Sequence, residues 1–195
     1  MKKVYFFDFD GTLTKSDTMF MFLRYCDQNR FAAKFLLHMP LFILLKFKLV
    51  QAEKVKQHFI SSVLKGKTEQ FLKEKALGFF ENNYPDLIRG NALEFIHNVN
   101  REQTESYLVT ASLDIWVLPF ADKFEMVLIA TKAEFKNGIF TGNFIGRNCN
   151  GEEKVKRIKE VLGEKKFDKS IAFGDTSGDE ALLKYVNEGH YKFFH

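Results

Sequence analysis

Apolar positions run together at the start of the chain. Val4 to Phe7 is short, β-branched or aromatic, and lacks helical spacing, which predicts a strand buried on both faces of a parallel sheet. From Lys15 to Asn29 the apolar positions Met19, Phe20, Phe22, Leu23 and Cys26 alternate with Asp17, Arg24 and Asp27, as in a helix. Phe31 to Val50 is the most hydrophobic stretch. Its longest unbroken apolar run, Met39 to Leu45, falls short of the roughly 20 residues that cross a bilayer. Lys34, His38, Lys46 and Lys48 interrupt the stretch, and Pro40 is expected to divide it into two helical pieces. Ala52 to Leu64 and Thr68 to Asn83 read as amphipathic helices, with Gly66 as the break and Thr68 as an N-cap.

Tyr84-Pro85-Asp86 marks a boundary, after which helices and strands alternate. The expected order is a helix over Asp86–Asn100, a strand over Ser106–Val109, and a helix over Leu113–Phe124 kinked or divided at Pro119. A strand over Met126–Ala130 follows, then a hairpin in Ala133–Gly146 turning at Asn137-Gly138. A helix over Gly151–Leu162, a strand over Ser170–Phe173, a short helix over Glu180–Val186 and a strand near Tyr191–Phe194 complete the chain. This alternation predicts an α/β fold: a Rossmann-like parallel sheet flanked by helices, with a helical cap inserted after the first strand. The expected boundaries are 1–14 and 85–195 for the core and 15–84 for the cap.

Composition adds limits. At 195 residues, 46% hydrophobic, the chain can bury a substantial core. Its 23 phenylalanines indicate a Phe-packed interior. The net charge of +4 is spread among interspersed lysines and acids, with no basic stripe for nucleic acid. Cys26 and Cys149 fit no metal-ligand spacing and point to a reducing compartment, and no signal peptide precedes the first strand. The expected location is the cytoplasm. The segment Phe31–Val50 leaves two readings: helices packed on the main domain, or a greasy, lysine-rimmed surface touching the inner face of a membrane or a lipid substrate. Oligomeric state is not specified.

Four polar clusters follow buried strands or open a helix: Asp8/Asp10, Thr110/Ser112, Lys154 and Asp175/Asp179. In an open parallel sheet such positions converge on one crevice outside the carboxyl ends of the strands. Two carboxylates ending a buried strand are costly unless a positive charge sits between them. Asp8, Asp175 and the backbone carbonyl near Asp10 offer hard oxygen ligands that suit Mg²⁺, and no Cys or His is placed for zinc. Thr110 and Lys154 can neutralise a phosphoryl group. One carboxylate can attack phosphorus, and Asp10 can move the proton. Gly11 turns the chain away, and Thr12 supplies a hydroxyl nearby. Ser112 reads as an N-cap for the helix that follows.

Asp8-Phe9-Asp10-Gly11-Thr12, Thr110 after an apolar strand, Lys154, and Gly174-Asp175-x-x-x-Asp179 together resemble the four motifs of the haloacid dehalogenase superfamily of phosphohydrolases. The helical insert resembles the phosphoserine-phosphatase-like branch. Val109-Thr110-Ala111-Ser112 and Gly189 to Phe193 resemble bacterial members related to phosphatidylglycerophosphatase C. The resemblance implies Asp8 as nucleophile, Asp10 as general acid/base, and Thr110 and Lys154 as phosphate ligands. It implies Asp8, Asp10 through its carbonyl, and Asp175 as Mg²⁺ ligands, with Asp179, Gly174 and Thr12 in support. Asp17 falls where phosphoserine phosphatases carry a cap glutamate, though it serves equally as an N-cap, and Arg24 stands in for their cap arginine by default. The expected substrate is a phosphorylated small molecule or lipid. A soluble phosphate such as phosphoserine, transfer to another acceptor, and a non-catalytic binding module are the alternatives.

Overall fold

The computed structural model describes residues 2–47, 49–99 and 102–195. The chain begins with β1 (Lys3–Phe7), followed by four helices, α1 (Thr18–Cys26), α2 (Gln28–Lys46), α3 (Ala52–Leu64) and α4 (Glu69–Asn83). Then come α5 (Gly90–His97), β2 (Thr104–Leu113), α6 (Asp114–Lys123), β3 (Val127–Lys136) and β4 (Ile139–Ile145). The chain ends with α7 (Glu152–Leu162), β5 (Lys169–Gly174), α8 (Glu180–Tyr185) and β6 (Glu188–Tyr191). Lys48 and Asn100, to which the sequence reading gave places in a segment and a helix, lie outside the described residues.

One six-stranded sheet runs in the order β4-β3-β2-β1-β5-β6, parallel except for β4. β1 is central, and alternate side chains enter two separate apolar clusters. Val4 and Phe6 join Tyr107, Val109, Ile158 and Leu182 on one face, while Phe7 joins the larger cluster with Leu108, Trp116 and Phe173 on the other. Burial on both faces is why this strand reads as an unbroken apolar run.

The helical stretch between β1 and α5 is stitched to the β3–β4 hairpin. Gly66 N–H donates to Phe140 O at 3.0 Å and Phe140 N–H to Lys67 O at 2.9 Å. The hairpin turns at Asn137-Gly138, both with positive φ, the conformation of a two-residue hairpin turn. Phe59 of α3 lies fully buried among Phe20, Phe31, Phe35, Phe42 and His38, joining α1, α2 and α3 through rings.

Several boundaries differ from the sequence expectation. Helix α1 starts at Thr18, because Asp17 caps it by accepting from Met19 N–H at 2.9 Å. Asp27 then starts α2 by accepting from Arg30 N–H. Pro40 does not divide α2, which runs unbroken through it. Pro40 lies on the exposed side, where water can satisfy the carbonyl its missing N–H leaves free. Pro119 likewise sits inside an undivided α6. The helix expected from Asp86 begins only at Gly90, because Leu87 to Arg89 bonds back to Leu13 and Lys15. The last strand ends at Tyr191, and Phe193 and Phe194 pack against Phe173 instead. Cys26 and Cys149 are free and buried. Among the described residues no helix is long and apolar enough to cross a membrane.

Replacing Phe59 by Ala should cost roughly 3–5 kcal/mol in urea unfolding, because the cavity falls where three helices meet. Leu36→Ala, on the exposed side of α2, should change stability by less than about 0.5 kcal/mol.

Candidate active site

Asp8 directly follows β1, and its N–H extends the ladder to Phe173 O of β5 at 3.0 Å. The chain then turns at Gly11, whose φ of +83° is open to glycine. A side chain there would strike Asp175 Oδ2. The turn thereby brings Asp8 and Asp175 together. The Thr12 hydroxyl lies 2.9 Å from Asp8 Oδ2 and 3.0 Å from Asp175 Oδ1, bridging the two. Gly174 ends β5 beneath Asp179 with no room for a side chain.

Lys154 enters from the first turn of α7 and is wholly buried. Its ammonium donates to Asp8 Oδ1 at 2.6 Å, Asp179 Oδ1 at 2.6 Å and Val109 O at 2.9 Å, using all three protons. The second oxygen of Asp179 accepts from Thr176 N–H and Oγ1–H and from Asp175 N–H. Burial opposes the Lys154 charge, but Asp8 and Asp179 outweigh it and raise its pKa. Burial also opposes the Asp179 anion, and Lys154 prevails, holding it below the usual carboxylate range. For Asp8 burial wins despite Lys154, and its pKa is pushed up to about 7.

Carboxylate oxygens of Asp8, Asp175 and Asp179 lie within 4.8 Å of one another. One lysine does not balance three acids in so small a volume, and the donors are all oxygen. The set fits a hard divalent cation and offers nothing to a soft one.

Asp10 faces the other way. Its Oδ1 accepts from Thr18 N–H and Thr18 Oγ1–H, both at 2.6 Å, and its Oδ2 from Ser112 Oγ–H at 2.5 Å. Trp116 Nε1–H donates to Thr18 Oγ1 at 3.0 Å, extending the network into the core. Ser112 is therefore not the N-cap of α6; that position is Leu113. The cause is an irregularity in β2. Thr110 pairs with Ala130, yet Leu113 pairs with the next residue, Thr131, so Ala111 and Ser112 bulge out of register. The bulge aims Ser112 at Asp10, while buried Thr110 accepts from Ser112 N–H at 3.0 Å.

Asp17 is exposed and spent on capping α1, and Arg24 lies exposed two turns further along that helix. Neither joins the hydrogen-bonded cluster. A cation the sequence reading missed does approach: half-buried Lys56 of α3 donates to Ala111 O at 3.0 Å. Burial lowers its pKa against the opposing pull of Asp10, Asp17 and Asp8. A cavity of about 520 Å³ opens there, lined by Lys56, Ala111, Arg147, Asn148 and Asn150 among others. Lys56 carries no local motif, so only the packing of α3 against the hairpin reveals it.

A mainly parallel sheet flanked by helices, with a carboxylate cluster at the ends of β1 and β5 closed by a lysine from α7, makes this an α/β protein whose acids converge on one crevice. The chain belongs to the haloacid dehalogenase-like hydrolase family, whose model matches residues 5–184. It is 34% identical over 190 residues to Protein CicA of Caulobacter vibrioides, covering 96% of this chain and 85% of that one. Its fold is shared with a protein of unknown function from Bordetella pertussis Tohama I, at TM-score 0.85 and 21% identity, covering 98% of this chain and 89% of the other. It is shared too with a phospho-aspartyl intermediate analogue of phosphoserine phosphatase, at TM-score 0.62 and 20% identity, covering 97% and 85%.

Lys154→Met should destabilise the metal-free protein by roughly 3–5 kcal/mol in urea, since it strands two buried acids. The loss should shrink as pH falls and those acids protonate. Lys156→Met, at an exposed site on the same helix, should be nearly silent.

Proposed function

We propose that the chain is a Mg²⁺-dependent phosphomonoester hydrolase working through an aspartyl-phosphate on Asp8, with residues 1–14 and 85–195 as its catalytic core and 15–84 as a cap. The observation that carries this reading is the convergence of Asp8, Asp175 and Asp179 around one lysine, with Asp10 alongside but separately held. The solved phospho-aspartyl analogue on the same fold is consistent with it.

Asp8, Asp175 and the backbone carbonyl of Asp10 would hold the ion, which when bound supplies positive charge against the phosphoryl oxygens. The remaining roles fall to this chain's own groups. The Thr110 hydroxyl orients the phosphoryl group, and Lys154, held against Asp8, sets its positive charge beside the oxygens that Asp8 receives. An Asp8 oxygen bonds to phosphorus as the ester P–O bond breaks, and protonated Asp10 gives its proton to the departing alkoxide. Asp10 then takes a proton from water as that water attacks phosphorus, which releases inorganic phosphate and restores Asp8. Ser112 suits this exchange, because its hydroxyl can donate to the Asp10 anion and rotate to accept from the acid. Asp179 steadies Lys154.

The leaving group would occupy the cavity beside Ala111. None of the residues lining that cavity comes from 31–50, and most are charged or amide-bearing. This favours a small polar phosphomonoester over the lipid or amphiphilic phosphate that the hydrophobicity of Phe31–Val50 suggests. Of the cap contacts expected for phosphoserine, Asp17 lies within electrostatic reach of Asp10 and Lys56 but is engaged in capping α1, and Arg24 lies exposed further along that helix, so phosphoserine itself is not favoured.

Asp8→Asn should lower kcat on an aryl phosphate by at least about a thousandfold while leaving circular dichroism unchanged. EDTA should abolish turnover and Mg²⁺ restore it. Because Asp8 is protonated below about 7 in the metal-free protein, the cation must displace a proton, so calorimetric Mg²⁺ affinity should be weaker at pH 6 than at pH 8.

A further inference from the structure

Helix α2 has no proper inside and outside. At about 100° per residue, its exposed positions form one arc of roughly 180°, from Lys46 at one edge to Leu37 at the other. Inside that arc the large exposed side chains are apolar, Leu36, Leu37, Met39, Ile43, Leu44 and, at the C-cap, Phe47, with Asn29 polar among them. Leu36 is 70% exposed and Leu37 and Phe47 are each 67% exposed. The opposite side packs through Phe31, Phe35, His38 and Phe42 onto Phe59 and Phe20. An apolar stripe normally faces the core with charge facing water, but here both faces are apolar and only one is covered.

The edges of the arc carry charge of one sign. By the same helical angles, Lys46 borders one edge and Arg30 and Lys34 the other. No Asp or Glu occurs between Asp27 and Glu53. Residues 28–52 hold four of the 29 Lys and Arg, which leaves 25 against the chain's 25 Asp and Glu. The whole net charge of +4 therefore resides in this segment, and the rest of the molecule is neutral.

We propose that α2 docks the protein on an anionic lipid surface, lying in the plane of the headgroups with Leu36, Leu37, Ile43, Leu44 and Phe47 in the acyl boundary and the flanking cations on lipid phosphates. The sidedness of the helix suits this mode, since it is not apolar enough along its length to span and too apolar on its outer face to stay in water. A second copy of the chain is the poorer occupant. A two-fold contact of α2 on α2 would set cations against cations with no carboxylate in the segment to pair them. An anionic membrane supplies both the apolar phase and the missing negative charge. This docking is independent of the phosphatase reading, because none of its residues belongs to the carboxylate cluster or lines the cavity beside Ala111.

The test is sedimentation of the full chain with vesicles of phosphatidylcholine alone or with about one third phosphatidylserine. The protein should bind the anionic vesicles at least about tenfold more tightly than the neutral ones, and more weakly as salt rises. The double substitution Leu36→Glu/Ile43→Glu should cut that binding at least about tenfold. Lys34→Gln/Lys46→Gln should cut it several-fold and flatten its salt dependence. Both variants should keep wild-type circular dichroism and hydrolyse a soluble aryl phosphate at the unchanged rate, so failure of docking and failure of catalysis read separately. Wild-type protein that stays in the supernatant with anionic vesicles would overturn the proposal. So would equal pelleting of the Leu36→Glu/Ile43→Glu variant, or a wild-type dimer that this variant dissolves without any vesicle binding.

Discussion

Burial of the Asp8 carboxylate at the end of the central strand governs the rest of the site. A charge removed from water at that position needs compensation, and the chain provides it from the adjoining turn and from two distant segments. Lys154 arrives from α7, Thr12 from the turn at Gly11, and Asp179 from beyond β5 to hold Lys154 in place. The compensation is incomplete: burial above all, and then the charges of Asp179 and Asp10, outweigh Lys154 and raise the pKa of Asp8, and a divalent cation would oppose that rise. The cluster is thus built so that folding and cation binding answer the same electrostatic deficit.

Two aspartates one residue apart have different surroundings because the strand end separates them. Asp8 remains in the sheet ladder against a buried ammonium. Asp10, past the pleat, meets the start of α1 and the bulge of β2, where hydroxyl and amide groups donate to it and the Lys56 ammonium lies within electrostatic reach. A group held by rotatable hydroxyls can gain or lose a proton without leaving a fixed charge unpaired. The division between an oxygen nucleophile and a proton carrier follows from these environments.

Much of this was legible in the sequence. The apolar run Val4–Phe7 announces a strand buried on both faces, and the spacing of Asp8, Thr110, Lys154, Asp175 and Asp179 announces one crevice. What was not legible depends on packing between distant segments. Ser112 looks like a helix cap until the β2 bulge is seen to point it at Asp10. Thr18, just after the Asp17 cap, and Lys56, which carries no motif, gave no sign of a place beside Asp10 and Ala111. Pro40 looks like a break, because the sequence does not tell that its face of α2 is exposed. Arg24 looks like a ligand only by position, and the helix turns it to solvent. In each case the neighbours that decided the outcome were supplied by another part of the chain.

The central claim is that the Asp8 carboxylate itself receives the phosphoryl group. The direct measurement is an acid quench of the protein during turnover of an aryl phosphate in Mg²⁺, followed by peptide mapping by mass spectrometry. The account predicts a phosphoryl increment on the peptide holding Asp8, labile to hydroxylamine as an acyl phosphate is, accumulating when Asp10 is replaced by Asn, and absent in Asp8→Asn. Turnover with no such adduct in the Asp10→Asn protein, or an adduct on another residue, would contradict it.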